Sequence, residues 1–442
     1  MNQLITALVL IGGLATSAAT LAANAGDLDA EHRTIDSLAE QVEQHVIANR
    51  RYIHQHPELS NRETETAAYI AAHLRALGIE VQTGVAKTGV IGLLRGGLPG
   101  AVVALRSELD ALPVTEEVAV PFKSTVRSSY DGKDVGVMHA CGHDAHMAIL
   151  LGVAEVFSKM KPQLHGTVKF IFQPAEEGAP AGEEGGAALM VKQGVLSNDP
   201  RPEAIFGLHV LSQFETGQIA YRAGGIMAGA DDLKIVVHGR QTHGAMPWNG
   251  VDPVVVAAQI VMALQTITSR QMDITKAPLI VTIGKIDGGV RSNIIPDTVT
   301  MVGTIRTLDP TMHTEVLARV RRTAENIAAA SGATAEVQIG ADVAYPVTYN
   351  DPALMARMRP TLARVAGAGA IETAPLTVSE DFSFYQQKIP GLFVFLGIRP
   401  PGASMDEYAA NHSPRFKIDE RALRLGVRTL ANLTVDYQAL AH

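Results

Sequence analysis

Cysteine occurs once in 442 residues, at Cys141, so no internal disulfide can form. No block of five like charges interrupts the chain, and the formal net charge of -8 comes with interspersed signs. Nucleic acid and anionic lipid, which need a concentrated basic surface, are therefore excluded as expected partners. Internal repeats and low-complexity tracts are also missing, which excludes a solenoid and a largely disordered chain. Beyond the N-terminus no stretch reads as long enough to span a membrane. What remains is a globular chain, 47% apolar and too long for one ordinary core, so two domains are expected.

The N-terminal segment has a deficit of its own. Residues 4–23 are rich in Ala and Leu and end in Ala23-Asn24-Ala25, a small-x-small cleavage pattern, yet no Lys or Arg precedes them. Residues 1–25 read as a secretory signal peptide, removed in a mature protein that is secreted to the periplasm and has no further membrane association. In an oxidising compartment the lone Cys141 then has some role other than a disulfide, or none.

After Gly26 the pattern is helix first, then alternating strand and helix. Helical periodicity over 31–52 stops before Pro57, and a second helix over 63–77 closes at Gly78. Apolar runs at 101–105, 168–173, 204–210 and 392–397, separated by helices such as 145–160, predict an α/β fold whose sheet is mixed, mostly parallel and flanked by helices. Asp110, the pair Glu176 and Glu177, and His209 fall at the ends of the first three runs, where ligands bind in open α/β sheets. A different rhythm fills 229–341: strand 233–238, helix 253–268 with Asp252 as N-cap and Pro253 at its first position, strands 279–286 and 298–306, helix 311–330, strand 334–339. That order is a ferredoxin-like α+β unit, inserted between catalytic segments 26–228 and 342–442.

Metal-binding chemistry is concentrated in two motifs. Met138-His139-Ala140-Cys141-Gly142-His143-Asp144-Ala145-His146 puts a thiol and an imidazole one residue apart, with Gly142 allowing a tight turn and Asp144 able to cap the following helix. Gln173-Pro174-Ala175-Glu176-Glu177-Gly178 adds two carboxylates. Thiolate, imidazole and carboxylate together suit zinc, or manganese where carboxylates dominate. An isolated C-x-H is more often a buried cysteine beside a surface histidine, and an isolated Glu pair is ordinarily solvated. Their company is what favours one carboxylate as ligand and the other as proton carrier.

These motifs, with Arg106-Ser107-Glu108-Leu109-Asp110-Ala111-Leu112-Pro113, Gly207-Leu208-His209-Val210, His243-Gly244-Ala245-Met246-Pro247, Ser379-Glu380-Asp381-Phe382, His412-Ser413-Pro414 and His54-Gln55-His56-Pro57-Glu58-Leu59, resemble the aminoacylase and carboxypeptidase family of dinuclear metallohydrolases. The branch is the amidohydrolase one, with hippurate hydrolases and indole-acetyl-amino-acid hydrolases. The resemblance implies a zinc-exopeptidase-like fold and two divalent metal ions, zinc or manganese. It implies Cys141, His143, Glu177, His209 and His412 as ligands, the sulfur standing where other branches have a bridging aspartate. Glu176 matches the general base, Asp110 the carboxylate that orients a ligand, and His243 a histidine that steadies the oxyanion in the partner subunit. Asn293 and Arg306 match residues that grip the substrate carboxylate, and a homodimer through the inserted domain is implied. Glu380 and Asp381 stay outside the ligand set, as groups that position neighbours. One departure is visible: Glu108 replaces an aspartate usual in the family, which bears on the geometry near Asp110.

The reading is a hydrolase that cleaves the amide of an N-acyl amino acid, such as an N-acetyl or hippurate-like conjugate, using water activated at the metals and Glu176 as base. A metallocarboxypeptidase or dipeptidase acting on short peptides is the alternative. Two others are a cysteine hydrolase built on Cys141 and His143, and a binding protein that keeps the fold without chemistry.

Overall fold

The structure, a computed structural model, describes residues 3–440; the side chains of 3–27 and of Asp342 lie outside the described set, and the leader expected over 1–25 falls among them. The chain divides into two compact units. One holds Met1–Ala220, Ala356–Ile371 and Val394–His442; the other holds Tyr221–Met355 and Glu372–Phe393. The second is wider than the segment 229–341 because the chain does not leave it after Tyr345. Strand Thr348–Asn350 instead pairs with Gly224–Met227 in the same unit.

An eight-stranded sheet builds the first unit, in the order Glu80–Val85, Gly89–Arg95, His165–Gln173, Leu98–Glu108, Ala204–Glu215, Gly391–Arg399, Ile219–Tyr221, Ala370–Glu372. His165–Gln173, Leu98–Glu108 and Ala204–Glu215 run parallel. Towards one edge the ladder turns antiparallel, because Glu80–Val85 and Gly89–Arg95 form a hairpin. Its turn places Ala86 and Lys87 at φ 50 and 82, a reversal too tight for any crossover. The sheet is therefore mixed, with its parallel part under the site.

Helices Gln3–Gln55, His143–Met160 and Ala422–Leu440 pack on one another, and the last two also pack against this sheet. His143–Met160 is apolar nearly all round and buried almost throughout, as a central helix must be. Each fully buried Leu, Val or Phe along it contributes about 1.5–3 kcal/mol. A Cβ on its Gly152 would lie 2.6 Å from Val46 Cγ2, so the side chain is absent where two helices come closest.

The same helix pair is tied by charge. Asp144, fully buried, lies 2.7 Å from Arg50 Nε and 2.8 Å from His54 Nδ1, and His54 Nε2 lies 3.2 Å from Glu116. Asp144 makes no cap; the helix begins after Gly142 without a side-chain cap bond. Burial alone would push the Asp144 carboxyl up, but Arg50 and then His54 hold it far below the usual range. Its contribution to stability is thus complete above about pH 4 and is lost only as pH falls through the depressed native value. Arg50→Met is expected to cost about 3–5 kcal/mol in urea unfolding at neutral pH, because it strands a buried carboxylate. A loss under 1 kcal/mol would contradict this account of the tie.

In the second unit Leu279–Asp287, Thr298–Thr307, Gly229–His238 and Thr334–Tyr345 form an antiparallel sheet in that order. Helices Pro253–Thr266 and Pro310–Ala330 cover it, giving the expected strand-helix-strand-strand-helix-strand sequence. Each begins with Pro at its first turn and an Asp cap: Asp252 accepts the Val254 N–H at 2.9 Å, and Asp309 accepts the Met312 N–H at 2.9 Å. Met312, Val316, Val320, Ala324 and Ala328 recur every fourth residue and are buried in the core. Pro253–Gln271 is long and apolar enough by composition to cross a membrane, contrary to the sequence expectation. Val256, Ala257, Ile260, Leu264 and Ile267 spend one side of it in this core.

Candidate metal centre

The parallel ladder between Leu98–Glu108 and Ala204–Glu215 ends at Arg106 and Gly207, and His165–Gln173 ends opposite Glu108. Chain leaving these points carries Asp110, then Glu176 and Glu177, then His209. The strand of His209 runs on to Glu215 instead of stopping there, but His209 lies just past the parallel pairing. Cys141 and His143 come from the turn into His143–Met160, and His412 from the segment after Gly391–Arg399.

These side chains converge. Cys141 Sγ is 3.3 Å from His209 Nε2 and 3.2 Å from His412 Nε2. Glu177 Oε1 is 3.2 Å from His412 Nε2 and 4.0 Å from His143 Nε2, while Glu176 Oε2 is 3.7 Å from His143 Nε2. The donors form overlapping groups, Cys141 with His143 and His209, Cys141 with Glu177 and His412, and His143 with Glu176 and Glu177. Cys141, His143, Glu176 and Glu177 each belong to more than one group, so the donors make one continuous cluster.

The far side of each histidine orients it. His143 Nδ1 is 2.7 Å from the Asp110 carbonyl, and His209 Nδ1 is 2.8 Å from the Val210 carbonyl. A carbonyl only accepts, so in the neutral rings the protons sit on Nδ1 and both Nε2 lone pairs face the cluster. Metal-ligating histidines are held in this way. His143 Nε2 is buried with no hydrogen-bond partner, a costly orphan that a cation would satisfy. Asp110 joins two donors: its Oδ2 accepts the Glu177 N–H at 3.0 Å and the Ser60 hydroxyl at 2.8 Å, and its Oδ1 lies 3.4 Å from His143 Nδ1.

Electrostatics point the same way. Burial would lower His143, but Asp110, Glu108 and Glu177 outweigh it and raise the imidazole to about 10. Burial, then Glu177 and Glu176, push the Cys141 thiol far above its ordinary value. The cavity is short of positive charge and takes up either protons or metal. The donor set of sulfur, nitrogen and carboxylate oxygen fits two divalent cations of the zinc or manganese type. A thiol held protonated is not a nucleophile, which counts against a cysteine hydrolase.

Several supports escaped the motif reading. Asn411 Nδ2 donates to the Cys141 and Val210 carbonyls at 2.8 and 3.0 Å, and the His412 N–H donates to the Ala140 carbonyl at 2.8 Å. Gly142, at φ 100, is required: a Cβ there would lie 2.3 Å from Val210 Cγ2. Glu108, the unusual residue, points to His146 Nδ1 at 2.8 Å and pairs with Arg106; His146 Nε2 accepts the Val210 N–H at 2.9 Å. The longer carboxylate thus braces the strand of His209 and leaves Asp110 to its own partners. Spacing was the available signal, since His146 follows His143 by one helical turn. His139, the third histidine of the motif, is buried and pushed down to about 3 by burial, so it stays neutral.

His243, Asn293 and Arg306 lie in the second unit. His243 and Asn293 are exposed neighbours: Thr242–His243 pairs with Ile294–Ile295, and the Gly244 N–H donates to the Asn293 carbonyl at 2.8 Å. His243 Nδ1 accepts the Ala245 N–H at 3.0 Å, which leaves Nε2 as the donor in its neutral form. Arg306 is half-buried and donates to Ser379 Oγ at 3.3 Å.

The chain is similar to thermostable carboxypeptidase 2 of Saccharolobus solfataricus, 42% identical over 90% of this chain and 96% of that one. An IAA-amino acid hydrolase of Arabidopsis thaliana is 38% identical over 89% of this chain and 85% of its own. Among solved structures, a dinuclear metal-binding peptidase of the M20 family from Bacillus subtilis matches with TM-score 0.73 and 34% identity, covering 90% of this chain and 99% of that one. The pattern of Peptidase family M20/M25/M40 matches residues 104–436, a stretch that includes Asp110, Glu176 and all five donors. The chain therefore belongs to that peptidase family and is a hydrolytic enzyme.

Proposed function

We propose that the enzyme hydrolyses the amide bond of N-acyl amino acids, N-acetyl, hippurate-like or similar conjugates, with Glu176 as general base. The observation that carries this is Cys141 Sγ lying 3.3 Å from His209 Nε2 and 3.2 Å from His412 Nε2, since a thiol among the metal donors is what the amidohydrolase branch that the motifs resemble implies. The similarity to an IAA-amino acid hydrolase supports it. Similarity to a carboxypeptidase favours the second reading, cleavage of short peptides from a free carboxylate end.

When bound, the cations supply Lewis acidity that polarises the scissile carbonyl and lowers the pKa of a water. Glu176 takes a proton from the attacking water on its Oε2 and returns it to the leaving amine nitrogen. On the resemblance, His243 of one subunit donates from Nε2 to the developing oxyanion in its partner, and the Arg306 guanidinium, with Asn293, grips the substrate carboxylate. The test is kcat/KM across N-acetyl, N-benzoyl and indole-acetyl amino acids and matched dipeptides, with metal content measured in parallel. Activity confined to dipeptides would overturn the N-acyl reading in favour of the second.

The enzyme acts, on the same reading, as a homodimer of a periplasmic protein. In the second unit Leu279–Asp287 has an unpaired outer edge in its sheet, and helix Pro253–Thr266 exposes Val254, Val255 and Met262. An open strand edge and an apolar helix face are features a second copy covers. Met262→Asp with Val255→Asp is expected to convert a dimer into a monomer by sedimentation; an unchanged dimer would place the interface elsewhere. N-terminal sequencing of protein from a periplasmic fraction tests the leader, with cleavage expected after Ala25.

A further inference from the structure

The segment 174–177 after the strand is a turn, yet its two carboxylates need defined positions. Its backbone is held by two other carboxylates at alternate residues. Asp110 accepts the Glu177 N–H, and Glu63 Oε1 accepts the Ala175 N–H at 2.9 Å. Ala175 stands at φ 53, a left-handed conformation that a residue with a Cβ adopts only when its surroundings impose it.

Glu63 does not serve the helix it precedes. It occupies the N-cap position of helix Thr64–Ala76 but makes no cap bond. Glu58 does the capping instead, accepting the Glu65 and Thr66 N–H groups at 3.2 and 2.8 Å. The Glu63 side chain is fully buried, and its second oxygen accepts the Thr88 hydroxyl at 2.6 Å, which fixes its orientation. Burial and the nearby Asp110 charge raise this carboxyl to about 7, so the location is unfavourable for an acid and unexplained by packing.

We propose that Glu63 is a positioning residue that, through the Ala175 N–H, fixes the turn bearing Glu176 and Glu177 and so aims the Glu176 carboxylate for proton transfer. The assignment rests on the reading of Glu176 as the base. The test uses metal-loaded enzyme and four variants: Glu63→Leu, Glu63→Gln, Thr88→Val and Glu176→Gln, with the first and last also combined. Glu63→Leu should lower kcat by about 10²-fold with KM and metal content unchanged, the cost of a misplaced reacting group. Glu63→Gln keeps an oxygen for the Ala175 N–H and should recover most of kcat. In the Glu176→Gln background Glu63→Leu should cost nothing more, since it acts through the residue already removed.

Wild-type kcat in Glu63→Leu, or an equal loss in both backgrounds, overturns the proposal. If Glu63→Leu does not fold, Thr88→Val carries the same comparison, with a smaller loss of kcat expected and wild-type kcat overturning it. Full activity in Glu176→Gln alone would overturn the reading of the base, and this assignment with it. A dead Glu176→Gln beside an unaffected Glu63→Leu overturns the positioning role alone.

Discussion

Glu176→Gln is expected to lower kcat by about 10²–10⁴-fold, the usual worth of a general base, while KM changes little and both cations remain bound. The substitution is nearly isosteric and keeps an oxygen near His143, but the amide cannot accept a proton at neutral pH. Glu176 is buried, with only 7% of its surface exposed, so bulk water cannot easily stand in for it. Stopped assays on the preferred substrate, alongside metal analysis, would measure the two effects separately. Loss of metal together with activity would instead make Glu176 a ligand.

Strong chelation is expected to remove all hydrolytic activity, and zinc or manganese to restore it. A metal-free preparation with full turnover would defeat the proposed mechanism. Reloading has a direction in pH. Without metal, the Cys141 thiol lies far above its ordinary value and His143 is raised to about 10. Both groups must shed a proton to become ligands, so apparent affinity rises as pH increases across the neutral range, roughly 10-fold per unit for each proton displaced. Isothermal titration in buffers of different ionisation enthalpy would count those protons. An affinity that fell with rising pH would contradict the charge balance described for the cavity.

The donors were legible because they sit at the ends of apolar runs or in turns with a recognisable order of residues. Asp110, Glu176 and His209 could be given an address from strand periodicity alone, and the resemblance to a family supplied His412, whose local sequence says little. The second unit was equally readable, since Asp252-Pro253 and the fourfold spacing from Met312 to Ala328 are short-range signals. Interactions that join distant segments were not. Asp144 looked like a helix cap, but a buried Arg50 one helix away claims it. Glu108 looked like a disturbance near Asp110, and only tertiary structure shows it reaching His146 and, through it, the Val210 N–H. The second unit runs past the expected boundary at 341 because Thr348–Asn350, a strand of three residues, leaves almost no periodicity to read.

Burial of Cys141 among carboxylates gives its sulfur a particular kind of durability. Sulfur is the atom that air and peroxide attack, and attack requires the thiolate. Burial and the Glu177 and Glu176 carboxylates hold the Cys141 sulfur in its protonated, sheltered form when no cation is bound. Loss of ions and oxidative damage would thereby be uncoupled, since an emptied site keeps its sulfur in the form oxidants attack least.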